Sequence, residues 1–309
     1  MARQRSEKLK KINTPFGYFG SKSKIALQIC HNLPPHSCWV EAFCGSAALT
    51  MSKAPAQIEI INDIDNEIVN FFRELRDNYK ELSRLIELTP YSEFELAHAR
   101  EHSPELSKVE RARRFSIQAM MAINGVFGDE RGGFSYSDSY TRNGNEARVN
   151  RWNNLPKRLK AVTDRLKTVR VENKDALKLI KRFLDRPATL MYLDPPYLGN
   201  RTNGYNIDAN NETFHLELLN LANSAQCMVF ISGYDNDLYD AHLTEDRGWT
   251  RKSIETSTKG SNGESSQRIE VLWMNRHFNS AINQNQIPLE LTKEELKQKK
   301  VNPKRSDER

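Results

Sequence analysis

The chain has 309 residues, of which 38% are hydrophobic and 28% charged, and its formal net charge is +6. This composition indicates a globular protein of one large or two modest domains. It contains no run of about eighteen apolar residues, which excludes a membrane-spanning helix, and its charged start lacks the apolar region of a secretion signal. We therefore expect a cytoplasmic protein, and the positive charge favours a polyanion as its partner.

The four cysteines form no C-x-x-C pair and have no clustered histidines. Zinc sites and disulfide frameworks depend on such patterns. We interpret the cysteines as buried thiols and expect no metal.

The first candidate site is a loop containing Gly17, Gly20, Ser21 and Lys22, ahead of a predicted helix over residues 23–29. Free amides and a helix amino terminus are typical of anion-binding loops. The spacing is not that of a P-loop, so an ordinary loop is an equally good interpretation.

Residues 38–43 are predicted to form a buried strand that leads into a turn at Gly45 and a small-residue helix over 47–53. A second strand, over 58–61, ends just before Asp63. Asp63 follows Gly45 by eighteen residues, near the roughly twenty at which nucleotide-binding folds place an acid on ribose hydroxyls. A purely structural turn is the alternative.

The pattern predicts one long amphipathic helix over residues 66–87 and a basic helix over 152–165. Between them, residues 128–144 are rich in Gly, Ser, Tyr and Arg, which predicts a loop or hairpin. Such side chains suit phosphates and base edges, although a flexible surface insertion is the alternative. The candidates for DNA contact are Asn124, Arg131, Tyr136 and Arg142.

The strand that ends at Asp194 is the strongest signal in the second half of the chain. Pro195 and Pro196 cannot continue a sheet ladder, so a stiff corner leaves the Asp194 carboxylate, the Pro195 carbonyl and the Tyr197 ring at the carboxyl end of a strand. The remaining predictions are a strand over 167–172, a mobile lid over 198–212, a strand over 227–232 and a strand pair over 249–256 and 268–274.

The corner suits a planar ring that bears an amino group. If Asp194 and the Pro195 carbonyl each accept one N–H bond, the nitrogen lone pair turns towards an electrophile, and catalysis is mainly positioning. Tyr197 would stack on the ring, and a base in duplex DNA would have to be flipped out of the helix.

Together with Val40-Glu41-Ala42-Phe43-Cys44-Gly45, the Asp194-Pro195-Pro196-Tyr197 segment resembles the Dam-like alpha group of DNA adenine-N6 methyltransferases, which use S-adenosylmethionine. The resemblance covers about residues 14–280. It implies catalytic roles for the four residues from Asp194 to Tyr197. It also implies cofactor contacts for Tyr18, Lys22, Glu41, Phe43, Gly45, Asp63, Asp175 and Asp194.

The resemblance implies an α/β fold: a Rossmann-like methyltransferase sheet (residues 1–75 and 166–285) with an inserted, mainly helical target-recognition domain (76–165) that carries a hairpin loop. Residues 286–309 would be a charged tail. The partners implied are double-stranded DNA and a cognate restriction endonuclease, and we expect a monomer or weak dimer of bacterial or phage origin.

Three departures from the family pattern affect what is carried over. The loop has Tyr18-Phe19-Gly20-Ser21-Lys22 for Trp-x-Gly-Gly-Lys, the turn has Ala47 in place of a second glycine, and the residues after Asn124-Gly125 differ from those of GATC-reading members. GATC specificity is therefore not carried over. Cytosine-N4 methylation and a non-catalytic DNA-binding protein remain the alternatives.

Overall fold

The computed structural model describes residues 12–18, 20–101, 103–123, 125, 132–139, 141–142, 144–198, 211–259 and 265–289. Two predicted DNA contacts, Asn124 and Arg131, lie outside these ranges. So do residues 199–210 of the predicted lid and 290–309 of the predicted tail.

The strands are, in chain order, β1 (Cys38–Glu41), β2 (Ile58–Asn62), β3 (Thr141–Arg142), β4 (Asn145–Glu146), β5 (Val169–Glu172), β6 (Thr189–Leu193), β7 (Met228–Gly233), β8 (Thr250–Lys259) and β9 (Ser265–Met274). Seven of them form one sheet in the order β5-β2-β1-β6-β7-β9-β8, and β3 and β4 form a separate hairpin. In the large sheet β9 is antiparallel to both of its neighbours, and the other pairs are parallel. The sheet is therefore Rossmann-like.

The helices are α1 (Ala26–Cys30), α2 (Asn66–Asp77), α3 (Tyr79–Leu88), α4 (Glu93–Ala99), α5 (Lys108–Met121), α6 (Ala147–Asn153), α7 (Leu155–Leu166), α8 (Ala176–Lys181), α9 (Glu212–Ser224), α10 (Asp237–His242) and α11 (Arg276–Gln284). Short 3₁₀ turns span Lys22–Lys24 and Glu245–Arg247. None of the helices in the described ranges is long and apolar enough to cross a membrane.

Side chains alternate between the two faces of the central strands, and both faces are covered. Met191 and Leu193 of β6 pack with α8 and α9, whereas Leu190 and Tyr192 pack with α1 and α11. A parallel sheet buried on both sides explains why these strands are nearly continuous runs of apolar residues.

The chain between β2 and β5 carries helices α2 to α7 and the β3–β4 hairpin. Its apolar core is centred on Phe16, whose ring meets Phe71 and Phe115 edge-on at 5.2 Å and 4.9 Å between centroids. The segment ahead of the sheet thus packs into the inserted region. The predicted boundary at residue 76 falls in the last turn of α2, and the division into domains stays a prediction.

Two helix predictions were wrong in detail. The single helix over 66–87 is broken at Asn78, whose side-chain amide donates to Glu74 Oε2 at 2.7 Å and so ends α2. Residues 47–53 form successive turns rather than a helix, and Ala47 has a φ of +53°. Left-handed backbone is unfavourable for alanine, and a helix cannot start from it.

Candidate active site

The site lies where the strand order of the sheet reverses, between β1 and β6. Glu41 is the last residue of β1, and Asp194 directly follows β6. Open α/β sheets bind ligands at the carboxyl ends of their strands at such a point. The cavity there is lined by Tyr18, Gly20, Ser21, Lys22, Glu41, Phe43, Cys44, Gly45, Ser46, Ala48, Leu49, Asp63, Ile64, Asp65, Tyr192, Asp194 and Pro196.

The Asp194 carboxylate accepts hydrogen bonds from two other side chains. Lys22 Nζ lies 2.8 Å from both carboxylate oxygens, and the Ser232 hydroxyl donates to Oδ1 at 2.9 Å. The Tyr197 hydroxyl lies 3.1 Å from the same oxygen. Asp194 keeps 18% of its side chain exposed, so the carboxylate is fixed in direction yet reachable from the cavity.

A second carboxylate, that of Glu270 on β9, also lies beside Lys22 and Tyr197. Its carboxylate accepts a hydrogen bond from the Tyr197 hydroxyl and lies 3.4 Å from Lys22 Nζ. The Lys22 ammonium also lies 5.1 Å from the centroid of the Tyr197 ring, and Tyr234 meets that ring edge-on. One buried ammonium therefore stands between two carboxylates.

Burial disfavours the charged form of Lys22, but the nearby carboxylates of Asp194 and Glu270 outweigh it and raise the pKa of Lys22 above its usual range. Burial also raises the pKa of Glu270, with Lys22 opposing the shift. The ammonium remains charged throughout the neutral range.

Gly45 and Asp63 meet at the base of the cavity. The Gly45 amide donates to Asp63 Oδ2 at 2.8 Å, and the Asp65 amide donates to Oδ1 at 3.0 Å. Gly45 has a φ of +44°, and a Cβ added there would lie 2.6 Å from the Tyr18 ring. Only glycine permits both this backbone conformation and this contact.

Two cavity carboxyl groups have raised pKa values because they are buried. Burial raises the pKa of Asp63 to about 6, and it raises that of Glu41 to about 7. The Glu41 carboxylate accepts hydrogen bonds from the Thr50 amide, at 3.1 Å, and from the Thr50 hydroxyl. Glu41 thus fixes the turns that follow Gly45.

Of the other predicted cofactor residues, some line the cavity and one does not. Tyr18 and Phe43 line the cavity, but Asp175 is absent from its lining. Asp175 is the N-cap of α8, and its carboxylate accepts from the Lys178 amide at 2.9 Å. Its contact with the cofactor adenine stays a prediction.

A second cleft is lined almost wholly by basic and neutral polar side chains. It brings together the predicted Tyr136 and Arg142 with Arg148, Arg151 and Arg158. The Arg158 guanidinium donates to the Thr14 carbonyl at 2.7 Å, so the cleft lies between the inserted region and the segment before the sheet. Arg158, on the predicted basic helix over 152–165, is half-buried in this cleft.

No carboxylate forms an ion pair with these four arginines within the described ranges. Burial lowers the pKa of Arg151, and the charge of Arg148 adds to the shift. Burial lowers the pKa of Arg158 likewise, with a smaller effect from Arg151. The cleft therefore carries positive charge that the described residues do not neutralise.

Comparison with known proteins identifies the family. Residues 18–255 match the family model of the D12 class N6 adenine-specific DNA methyltransferases. The chain belongs to this family. A 26% identical relative, over 61% of this chain and 67% of its own length, is the type II methyltransferase M1.LlaDCHI of Lactococcus lactis subsp. cremoris.

Solved structures of other methyltransferases resemble this D12 methyltransferase only distantly. A SAM-dependent methyltransferase from Agrobacterium tumefaciens is 9% identical, with a TM-score of 0.36, over 82% of this chain and 60% of that one. An rRNA methylase from Streptococcus thermophilus is 8% identical, with a TM-score of 0.35, over 82% and 97%. The fold assignment rests on the strand order of the sheet itself.

Membership confirms the predictions of an adenine-N6 DNA methyltransferase and of S-adenosylmethionine as the donor. The described residues fit that cofactor, because carboxylates of Asp63, Glu41 and Asp194 face one cavity that can take hydroxyl and ammonium groups. The cytosine-N4 and non-catalytic alternatives are not supported.

Sequence reasoning missed Glu270, Ser232, Arg148 and Arg151. Glu270 had one signal: it is an acid in phase with the apolar Leu272 on a predicted strand, and it is 4% exposed. Arg148 and Arg151 are three residues apart, a spacing that places them on one side of a helix.

Proposed function

We propose that this methyltransferase acts at specific sites in double-stranded DNA and receives a target adenine that has left the base stack. The observation that carries the proposal is the Asp194 carboxylate, which is held by Lys22 and Ser232 yet open to the cavity at the switch point of the sheet. Bound S-adenosylmethionine supplies an electrophilic methyl group on its sulfonium.

Asp194 and the Pro195 carbonyl accept the two N–H bonds of the adenine amino group. That contact draws the nitrogen lone pair out of the ring and aims it at the methyl group, so the chain contributes chiefly orientation. No proton has to be removed before transfer; afterwards the methylated nitrogen releases one proton, which Asp194 accepts and passes to water. None of the described side chains is required to act as a nucleophile.

The Tyr197 ring and the Pro196 ring support the flipped base. Flipping costs a few kcal/mol, which stacking and hydrogen bonds in the pocket offset. The contacts of Tyr197 with Lys22 and Tyr234 hold its ring beside Asp194 and support this role.

At the other end of the cavity, Asp63 accepts from the ribose hydroxyls of the cofactor, and Tyr18, Phe43 and Gly45 line its path. Asp63 lines the cavity, and the backbone amides of Gly45 and Asp65 fix the direction of its carboxylate, which supports this role. Asp175 contacts the cofactor adenine, and no metal takes part.

The arginine cleft binds the DNA backbone. Its unneutralised guanidinium groups suit phosphates, and Arg142 contributes from the β3–β4 hairpin. Asn124 and Arg131 add contacts to bases or phosphates.

A cognate restriction endonuclease is the proposed biological partner, supported by the likeness to a type II methyltransferase. We propose a monomer or weak dimer.

A methyl-transfer assay with labelled S-adenosylmethionine and DNA from a methylation-deficient host tests the proposal. The wild-type protein should place label on adenine N6, whereas Asp194→Ala should bind duplex DNA normally and transfer nothing above background. Transfer near the wild-type rate by that variant would show that Asp194 does not hold the target amine.

A further inference from the structure

The charges around Lys22 do not cancel. Its ammonium donates to both oxygens of Asp194 at 2.8 Å and to the Gly20 carbonyl at 3.0 Å. Glu270 brings a second carboxylate to 3.4 Å from the same nitrogen. With both acids ionised, this cluster has a net charge of −1, whereas Lys22 and Asp194 alone would be neutral.

That remaining charge bears on the proposed reaction, on which this inference rests. The hydrogen bonds of the ammonium go to Asp194 and Gly20, so Glu270 acts on this cluster through its charge and leaves Asp194 less completely neutralised than in an isolated pair. As the methyl group passes from sulfur to nitrogen, the positive charge moves with it, from the sulfonium to the amine. A net negative cluster in a buried, low-dielectric site stabilises that charge more than a neutral pair does.

Glu270 is unusual on β9 because it is a buried acid. It lies on the same face of the strand as Leu272, which packs among apolar side chains, whereas the apolar neighbour Ile269 is 57% exposed. A buried acid is costly unless it is paired, and its partners in the described ranges are Lys22 and the Tyr197 hydroxyl.

We propose that Glu270 is a positioning residue for methyl transfer: it shares Lys22 with Asp194, so that Asp194 retains the negative charge with which it accepts the target amine. Glu270 does not line the cavity. Its effect passes through Lys22 and through the Tyr197 hydroxyl, which it fixes beside Asp194.

Glu270→Gln tests the inference because it removes the charge and keeps the size and an acceptor for Tyr197. We expect kcat to fall by at least about tenfold, because a charge that acts on the transition state is lost. The KM for DNA and the Kd for S-adenosylmethionine should stay within about twofold, since Glu270 does not line the cavity. The melting temperature verifies that the variant is folded.

Two further variants separate positioning from simple packing. Glu270→Asp retains the charge and should recover part of the lost kcat. Combining Glu270→Gln with Lys22→Met should cost less than the two single losses together, because both act on the same charge at Asp194. A fully additive double variant would overturn the inference.

A kcat for Glu270→Gln equal to that of wild type would also overturn it and leave the proposed function intact. Absence of transfer by the wild-type protein would instead contradict the proposed function. Should Glu270→Gln fail to fold, Glu270→Met, which also removes the charge at similar size, carries the test, and an unchanged kcat there would contradict the inference.

Discussion

The active-site cavity and the arginine cleft both contain buried or half-buried charge, but they treat it in opposite ways. In the cavity, the one ammonium, Lys22, is enclosed by two carboxylates. In the cleft, Arg148, Arg151 and Arg158 adjoin one another, and the described residues provide them with no carboxylate.

The paired charges indicate that the cavity is preorganised, whereas the unpaired cations indicate that the cleft binds an anionic ligand. Charges that are paired within the protein stabilise the fold and orient one another, and they need no partner from outside. Cations that repel one another cost stability, and an anionic ligand such as a DNA phosphate recovers that cost on binding. Changes in the cavity should therefore affect stability and catalysis, whereas changes in the cleft should affect DNA affinity.

The largest effect should come from Lys22→Met. Removing the ammonium leaves the Asp194 and Glu270 carboxylates facing each other, and breaking a buried ion pair costs about 3–5 kcal/mol of unfolding free energy. Urea denaturation of the unliganded protein measures the loss. A loss below about 1 kcal/mol would show that the cluster is solvated rather than preorganised.

Gly45→Ala should be next. The added Cβ would approach the Tyr18 ring to 2.6 Å at a φ of +44°, so the variant should lose about 2 kcal/mol of stability and most of its affinity for S-adenosylmethionine. Calorimetry with the cofactor gives the affinity.

Ala47→Gly is the matched control for that change. Its φ of +53° already suits glycine, so relief of backbone strain should offset the added chain entropy to within about 0.5 kcal/mol. Equal losses of unfolding free energy in Gly45→Ala and Ala47→Gly would contradict the prediction that only the added Cβ at position 45 is unfavourable.

Arg151→Gln should weaken DNA binding by about tenfold and reduce the slope of log affinity against log salt by about 0.9, the value for one phosphate contact. The unfolding free energy should change by less than about 0.5 kcal/mol, because no ion pair is broken. Fluorescence anisotropy over a range of salt concentrations measures both binding quantities.

Arg186→Gln provides the control for charge alone, because Arg186 is an exposed arginine just before β6, at the opposite end of that strand from Asp194. An equal loss of DNA affinity in this variant would indicate general electrostatic attraction rather than a phosphate site in the cleft.

The smallest effect concerns pH. Because the pKa of Asp63 is raised to about 6 in the folded protein, folding favours its protonated form, and the associated stability is lost as pH rises from about 4 to 6. Cofactor affinity should change in the opposite sense and fall by up to about tenfold per pH unit below 6, where the carboxylate is neutralised.

Glu41, with a pKa of about 7, also titrates near this range, so the comparison must be made with Asp63→Asn. That variant should bind S-adenosylmethionine more weakly at pH 8 and with a flatter pH profile. An unchanged profile would remove Asp63 from the cofactor site.

The parts of the site that could be predicted are those specified by neighbouring residues. Asp194 was found because two prolines end a strand there, and Gly45 because a predicted strand leads into a turn there. The register of β1, β2 and β6 then brings them to one edge. Local sequence is sufficient because the carboxyl ends of parallel strands always lie at the same edge of a sheet.

The parts that could not be predicted depend on distant pairing. Glu270 reaches Lys22 only because β9 inserts antiparallel between β7 and β8. The arginine cleft requires a helix break: Asn154 ends α6 and precedes α7, so Arg151 and Arg158 converge from two helices, whereas the predicted helix began at residue 152 and had no break. The strand phase of Glu270 and the helical spacing of Arg148 and Arg151 indicate a face of one element, but they do not indicate which distant residues that face meets.

Mass spectrometry of nucleosides tests the central claim most directly. Genomic DNA from a methylation-deficient host that expresses the protein should contain N6-methyladenine, and DNA from the same host expressing Asp194→Ala should contain none. N4-methylcytosine in place of N6-methyladenine, or N6-methyladenine at equal levels in both samples, would contradict the account.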